Sequence, residues 1–372
     1  NTGILLCMKL SVAIFALMIV GGAVFVGNRD FTKSFFGNMS MPASVSFTQS
    51  VKVNDLRETF DTASSTKKKL SVLIVPGHEP DFGGAEYLNI KERDLNADLA
   101  LALAQYLVED GHFVVSMTRG KDGWNPDLQN YFTMNGEDIE AFARAKKEEM
   151  ARLVGEGKVI RVSDAVPHND APSDVALRLF GINKWANDRK ADIIIHIHFN
   201  DNYPRRTNVP GEHNGFAIYT PEHQYSNSQA SNEIAQYVFE RLSRMFPISS
   251  LPAEDKGIVE EQDLIALGSY NSVDGASILI EYGYIYEPQF KVSSVRNLII
   301  KELAFQTYLG LADFFGETSL MVGPHESTLL PYEGISVAQN NVSANKDVLA
   351  FQAALIDKGF YPPRDRTKND CP

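Results

Sequence analysis

The sequence predicts an α/β fold: a mostly parallel, open sheet with helices on both faces and its site at the C-terminal ends of the strands. Three observations predict it. Short aliphatic and β-branched runs end in turn-forming residues, as in "LSVLIVPGH" and "ASILIEYGYI". Between such runs lie stretches whose apolar residues recur every three or four positions. The two kinds of segment alternate from about residue 69 to 316, which is the order of βαβ units with right-handed crossovers.

The elements follow one another plainly. "LSVLIVPGH" reads as a buried strand stopped by Pro76-Gly77. "ERDLNADLALALAQYLVEDG" carries Leu95, Leu99, Leu103 and Leu107 on one helical stripe and closes at Gly111. "HFVVSMTR" is the next strand. Residues 121–180 break the regularity and read as an insertion, with one helix in "DIEAFARAKKEEMARLVGEG" and the loop "VPHNDAPSD". Such an insertion near the rim would serve as a lid, a plug or a wall of the substrate groove. A helix through "LFGINKWANDRK", the strand "ADIIIHIHFND" and the strand "GFAIYT" come next. A helix from about Ser228 to Met245, the strand "ASILIEYGYI" and the helix "SVRNLIIKELAFQTYLGLADFFGE" complete the unit.

Outside 69–316 the composition changes. Residues 1–7 read as a non-native leader, because Met8-Lys9 makes a natural beginning. Leu10 to Val26 is an uncharged apolar run, so 8–27 reads as an uncleaved signal anchor, with a cleaved signal as the alternative. Residues 28–68, ending in "TASSTKKK", read as a polar tether. Residues 317–342 are loop-like, and 343–372 hold one short amphipathic helix, "NKDVLAFQAALIDKGFYPP". An anchor or signal would put the domain outside the cytoplasm, in the cell envelope.

The net charge of −12 over 372 residues argues against a general nucleic-acid binder, which needs a surplus of Lys and Arg. The two cysteines, Cys7 and Cys371, lie at the extremes. Any metal in the middle of the chain is therefore held by His, Asp or Glu.

In open α/β sheets, sites form beyond the C-terminal strand ends. His78 ends the first strand, His198 the "IIIHIHF" strand and Glu281 lies near the end of "SILIE". Glu92 opens the first helix on the side facing the sheet. Two histidines and a carboxylate make a common catalytic zinc set with a fourth position left open. A further carboxylate beside it is what a hydrolytic site needs for proton transfer. Taken singly, each has a plainer reading: His78 as a turn residue, Glu92 as a favourable charge at a helix N-terminus. Glu281 is the hardest to dismiss, because a carboxylate in a buried strand is costly unless paired. Together on one rim, the four favour a metal site.

As a set, "VLIVPGH", "KERDLNADLALALAQYLVEDGHFVVSMTR", "WANDRKADIIIHIHFND" and "ASILIEYGYI" resemble the zinc-dependent N-acetylmuramoyl-L-alanine amidases called amidase 3, from about Leu70 to Gly316. The resemblance implies one zinc ion per chain on His78, Glu92 and His198, with Glu281 as catalytic acid and base. It implies hydrolysis of the amide between N-acetylmuramic acid and L-alanine, with bacterial peptidoglycan as partner. His196 stands where the family usually has serine. It reads either as a group bracing the ligands or touching substrate, or as a neutral core imidazole. Asn200 matches the family's strand end, and His168 of the insertion is a further candidate. Two stretches depart from the family pattern: "HEPDFGGAEY" keeps only loosely the glycine-rich turn, and the insertion is far longer than usual. The tail resembles the first half of a peptidoglycan-binding module. The rival readings are a non-catalytic peptidoglycan-binding scaffold and a metal-dependent hydrolase of another amide, such as a carboxypeptidase.

Overall fold

The structure is a computed structural model that describes residues 50–163, 166, 171–201 and 204–316, with the short stretches 327–329, 350–351 and 354–355. In chain order the elements are α1 (Val53–Thr66), β1 (Leu70–Pro76), β2 (Glu86–Tyr87), β3 (Ile90–Lys91), α2 (Glu92–Asp110) and β4 (Phe113–Met117). The insertion follows as α3 (Pro126–Met134) and α4 (Gly136–Gly155), then α5 (Ser173–Asp188), β5 (Ile193–Asn200), β6 (Ala217–Pro221) and α6 (Ser228–Met245). The last elements are β7 (Ile258–Glu261), β8 (Ala276–Tyr284), α7 (Pro288–Lys291) and α8 (Ser293–Phe314).

One six-stranded sheet runs in the order β4-β1-β5-β8-β6-β7, and β2 with β3 forms a separate hairpin. Every pairing in the large sheet is parallel except β6 with β8. The expected α/β architecture is therefore the observed one. The central strands are apolar on both faces, as a parallel sheet between two helix layers requires. Val72, Ile74, Ile195, Ile197, Ile278 and Ile280 lie on the face covered by α2, α6 and α8. Leu73, Val75 and Ile194 lie on the other, against Ile182 and Trp185 of α5. Helix α2 buries Leu95, Leu99, Leu103 and Leu107 and stops at Gly111, whose φ of 92° is a left-handed value that favours glycine.

Part of the expected tether is helix. Residues 53–66 form α1, which buries Val53, Leu56, Phe60 and Ala63. Phe60 stacks on Phe315 with ring centroids 4.3 Å apart and on His112 at 4.3 Å. Arg57 reaches Glu233 at 2.6 Å. Phe60→Ala is expected to lower stability by about 3–5 kcal/mol, as for other buried aromatics, measured by denaturant unfolding. A loss under about 1 kcal/mol would make α1 an appendage.

The insertion is packed on the sheet. Val166 joins Ala217, Tyr219 and Leu279 in a buried cluster. The Ile160 peptide group is held by Gln224 and Gln262 through bonds of 2.8–2.9 Å. His168, the apolar run at 8–27 and nearly all of the tail, 343–372, lie outside the described residues. Among the described residues, no helix is long and apolar enough to cross a membrane.

Candidate metal centre and catalytic site

Parallel alignment brings the C-terminal ends of β1, β5 and β8 to one rim, and the three rim residues expected from the strand ends are there. Strand β5 sets His196 and His198 on the face opposite Ile195 and Ile197, because successive side chains alternate. His198 is in register with Glu281 of β8. Glu92 is the first residue of α2 and is 4% exposed.

His78, Glu92 and His198 converge. His78 Nε2 lies 2.8 Å from Glu92 Oε1, and His198 Nδ1 lies 3.2 Å from the same oxygen. The two imidazole rings meet edge to face with centroids 5.0 Å apart. Two imidazoles and one carboxylate, each from a different element, place their ligand atoms within 4.8 Å of one another. That donor set suits a catalytic zinc ion, with a coordination position left for water.

The surrounding backbone fits the same purpose. A β-carbon on Gly77 would stand 2.1 Å from His198 Cε1, and one on Gly84 would stand 2.9 Å from His78 Cδ2. Both glycines leave room that the two rings fill. His78 itself has a φ of 66°, a left-handed value that is sterically costly for a non-glycine residue. The turn is therefore held in a conformation that it would not choose alone.

Electrostatics differ sharply between the two glutamates. Burial works against the charge of Glu92, but His78 and His198, through charge and hydrogen bonds, hold its pKa well below the usual carboxylate range. Ala85 N–H donates to its Oε2 at 2.8 Å and Phe199 N–H to its Oε1 at 3.3 Å. Burial pushes the His198 imidazole down against the opposing pull of Glu92, which favours the neutral form that ligation needs. Glu281 is pushed well up, first by burial and then by the charges of Glu92 and Glu254. Its Oε2 is buried, with no hydrogen-bond partner among the described residues.

The other expected residues have defined surroundings. His196 is 1% exposed, bonds the backbone at Ala266 and keeps an unpaired Nε2. Burial, and secondarily His198, pulls its pKa down to about 3, so the ring is neutral. This geometry fits the core-imidazole alternative, since the ring has almost no opening to solvent. Asn200 donates from Nδ2 to Glu254 Oε1 at 3.2 Å.

Four residues of the site are absent from the sequence reading. Asn96 is fully buried and donates to Gly77 O at 3.2 Å and to Glu92 Oε1 at 3.4 Å. Its position one turn after Glu92 on the same helix face was a usable signal. Arg119, 1% exposed, lies beneath the His78 turn. Glu254, fully buried, accepts from Tyr219, Ser249, Tyr284 and Asn200. Glu79, beside His78, pairs with Arg178 of α5 at 2.7 Å. Nothing in the local sequence marks the last three.

A family model for N-acetylmuramoyl-L-alanine amidases, Amidase_3, matches residues 72–294. No curated protein matches at a significant level. Among solved structures, the chain is similar to the N-acetylmuramyl-L-alanine amidase Ami1 from Mycobacterium smegmatis. That similarity is 17% identity over 66% of this chain and 97% of that one, with a TM-score of 0.43. It is similar to an N-acetylmuramoyl-L-alanine amidase from Clostridium difficile 630, 18% identical over 67% of this chain and 98% of that one, with a TM-score of 0.41. A third is the CwlD amidase from Clostridioides difficile in complex with the GerS lipoprotein: 16% identical, 67% and 99% covered, TM-score 0.42.

Proposed function

The chain belongs to the N-acetylmuramoyl-L-alanine amidase family Amidase_3, and from that premise we propose that it works with one zinc ion held by His78, Glu92 and His198, with Glu281 moving the proton. As a family member it hydrolyses the amide joining N-acetylmuramic acid to L-alanine in peptidoglycan, a substrate of the cell wall. When bound, zinc supplies polarisation of the substrate carbonyl and acidification of a water molecule.

The chain's own residues do the rest. Glu281 stands in register with His198, and its Oε2 has no competing donor. As a carboxylate it accepts a proton from the attacking water; as the acid it returns that proton to the departing amine. A raised pKa suits both halves of that exchange. Glu92 stays ionised throughout, held there by the two histidines. One observation carries this reading: three ligand atoms within 4.8 Å of one another, drawn from β5, α2 and the turn after β1, next to a glutamate with a free oxygen. The uncharged apolar run before residue 27 supports export or a membrane anchor, in line with a substrate outside the cytoplasm.

Purified protein is incubated with peptidoglycan, bound zinc is quantified and the products are identified by mass spectrometry. Stem peptides beginning at L-alanine, with about one zinc per chain, are the expected result. Release of another fragment would make it a hydrolase of a different amide, and wall binding without release would make it a scaffold. His198→Ala is expected to lose zinc and activity together. Tight zinc retention in that variant would remove His198 from the ligand set.

A further inference from the structure

We infer that Arg119 is a positioning residue that fixes the distance between the turn carrying His78 and the helix end carrying Glu92, and so sets the metal affinity of the site. The inference rests on the zinc reading above. Arg119 follows β4, and its hydrogen bonds among the described residues go to backbone carbonyls, not to the side chains of His78 or Glu92. Nε donates to Pro76 O at 3.1 Å and to His78 O at 2.7 Å, while Nη2 donates to Gly77 O. Three consecutive carbonyls are thus drawn onto one planar cation. Nη2 also reaches Arg93 O at 3.0 Å, and Nη1 reaches Gly120 O at 2.9 Å.

The geometry explains the choice of arginine. Only a rigid fork with five donors spans both the turn and the first turn of α2. Turning the carbonyls of 76–78 inward aims the His78 side chain outward, toward Glu92. It also stabilises the left-handed φ of 66° at His78, a conformation that a non-glycine residue keeps only where its surroundings over-determine it. Among the described residues no carboxylate forms an ion pair with Arg119, and its charge is balanced by carbonyl dipoles and by nearby Asp94, Glu79 and Glu92. Burial brings its pKa down to about 10, which leaves it a cation at neutral pH. A buried charge of this kind is poor value for stability alone. Its acceptors all bear on the two segments that present metal ligands, or on its own next residue.

The test is zinc affinity by competition with a chromophoric chelator, on full-length wild type, Arg119→Lys and Arg119→Met, beside thermal melts of the metal-free proteins. Lysine keeps the charge but donates from a single point. Methionine removes charge and donors together, and serves where the lysine variant does not fold. Both are expected to bind zinc about 10–100-fold more weakly, the range seen when groups behind metal ligands are removed. Guanidinium ion added to Arg119→Ala is expected to restore part of the affinity. Wild-type affinity in a folded variant, whatever its melting temperature, overturns the inference and leaves the zinc reading intact. Absence of zinc binding in wild type overturns both.

Discussion

Glu281→Gln lowers turnover by about 10²–10⁴-fold while zinc content stays at the wild-type level, if the proton path is as proposed. Glutamine has the same shape but neither takes a proton from water nor returns one to the amine. The variant also separates catalysis from metal binding, since Glu281 is not among the three convergent ligands. A second consequence concerns pH. The Glu281 pKa is raised in the folded protein, by burial and by the charges of Glu92 and Glu254. A group raised in this way stabilises the fold fully below its unfolded pKa, and that contribution is lost as pH rises through the folded value. Chelator-treated wild type should therefore lose stability relative to Glu281→Gln as pH rises above about 4.3, the ordinary value for glutamate. Melting both proteins at pH 4.5 and 7.5 reads the difference. A gap that closes as pH rises would mean that Glu281 is not desolvated as described, and full activity in the variant would end its catalytic role.

Gly77→Ala is the second large effect, and it changes no ligand. A methyl group at position 77 would lie 2.1 Å from Cε1, 2.3 Å from Nε2 and 2.6 Å from Nδ1 of His198. Those atoms belong to a ring on the adjacent strand, not to the free end of a flexible chain. Gly77 N–H is tied to Ile197 O at 2.9 Å, so the backbone has little room to retreat. The ring must turn away. Zinc affinity is expected to fall by about 100-fold or more, the upper end of effects from groups supporting metal ligands. Stability should fall by about 1–3 kcal/mol from overpacking. Competition titration and denaturant unfolding measure the two. An alanine variant with normal zinc affinity would show that His198 is not the ligand that the geometry makes it.

Much of the fold was legible because burial imposes periods on sequence. The leucine stripe of α2 and the strand runs ending at His78, His198 and Glu281 are direct records of one helix face and three buried strands. The antiparallel direction of β6 was not legible, since "GFAIYT" reads the same whichever way it pairs. Strand β7, "IVEE", carries no strand signal in the sequence, because it is short and holds two glutamates at a sheet edge. Helix α1 reads as tether because Ser, Thr and Lys crowd its end, although Val53, Leu56, Phe60 and Ala63 form an apolar stripe. In the site, the residues expected at element ends were found there. Arg119 and Glu254 were invisible for a different reason. Their work depends on backbone carbonyls and hydroxyls brought together from distant segments, and no local pattern encodes that.

Helix α1 and the end of α8 share one end of the sheet. Val51 N–H bonds Asp274 O, just ahead of β8, and Ser50 bonds Ser226 O, just past the end of the reversed strand β6. Phe60 stacks on Phe315 beside Phe113, the first residue of β4. Val51, Phe113 and Phe315 therefore lie at the edge of the sheet opposite the rim bearing His78, His198 and Glu281. The packing that seats α1 therefore lies at the far end of the strands from the convergent histidines and glutamates, and the two can be perturbed separately.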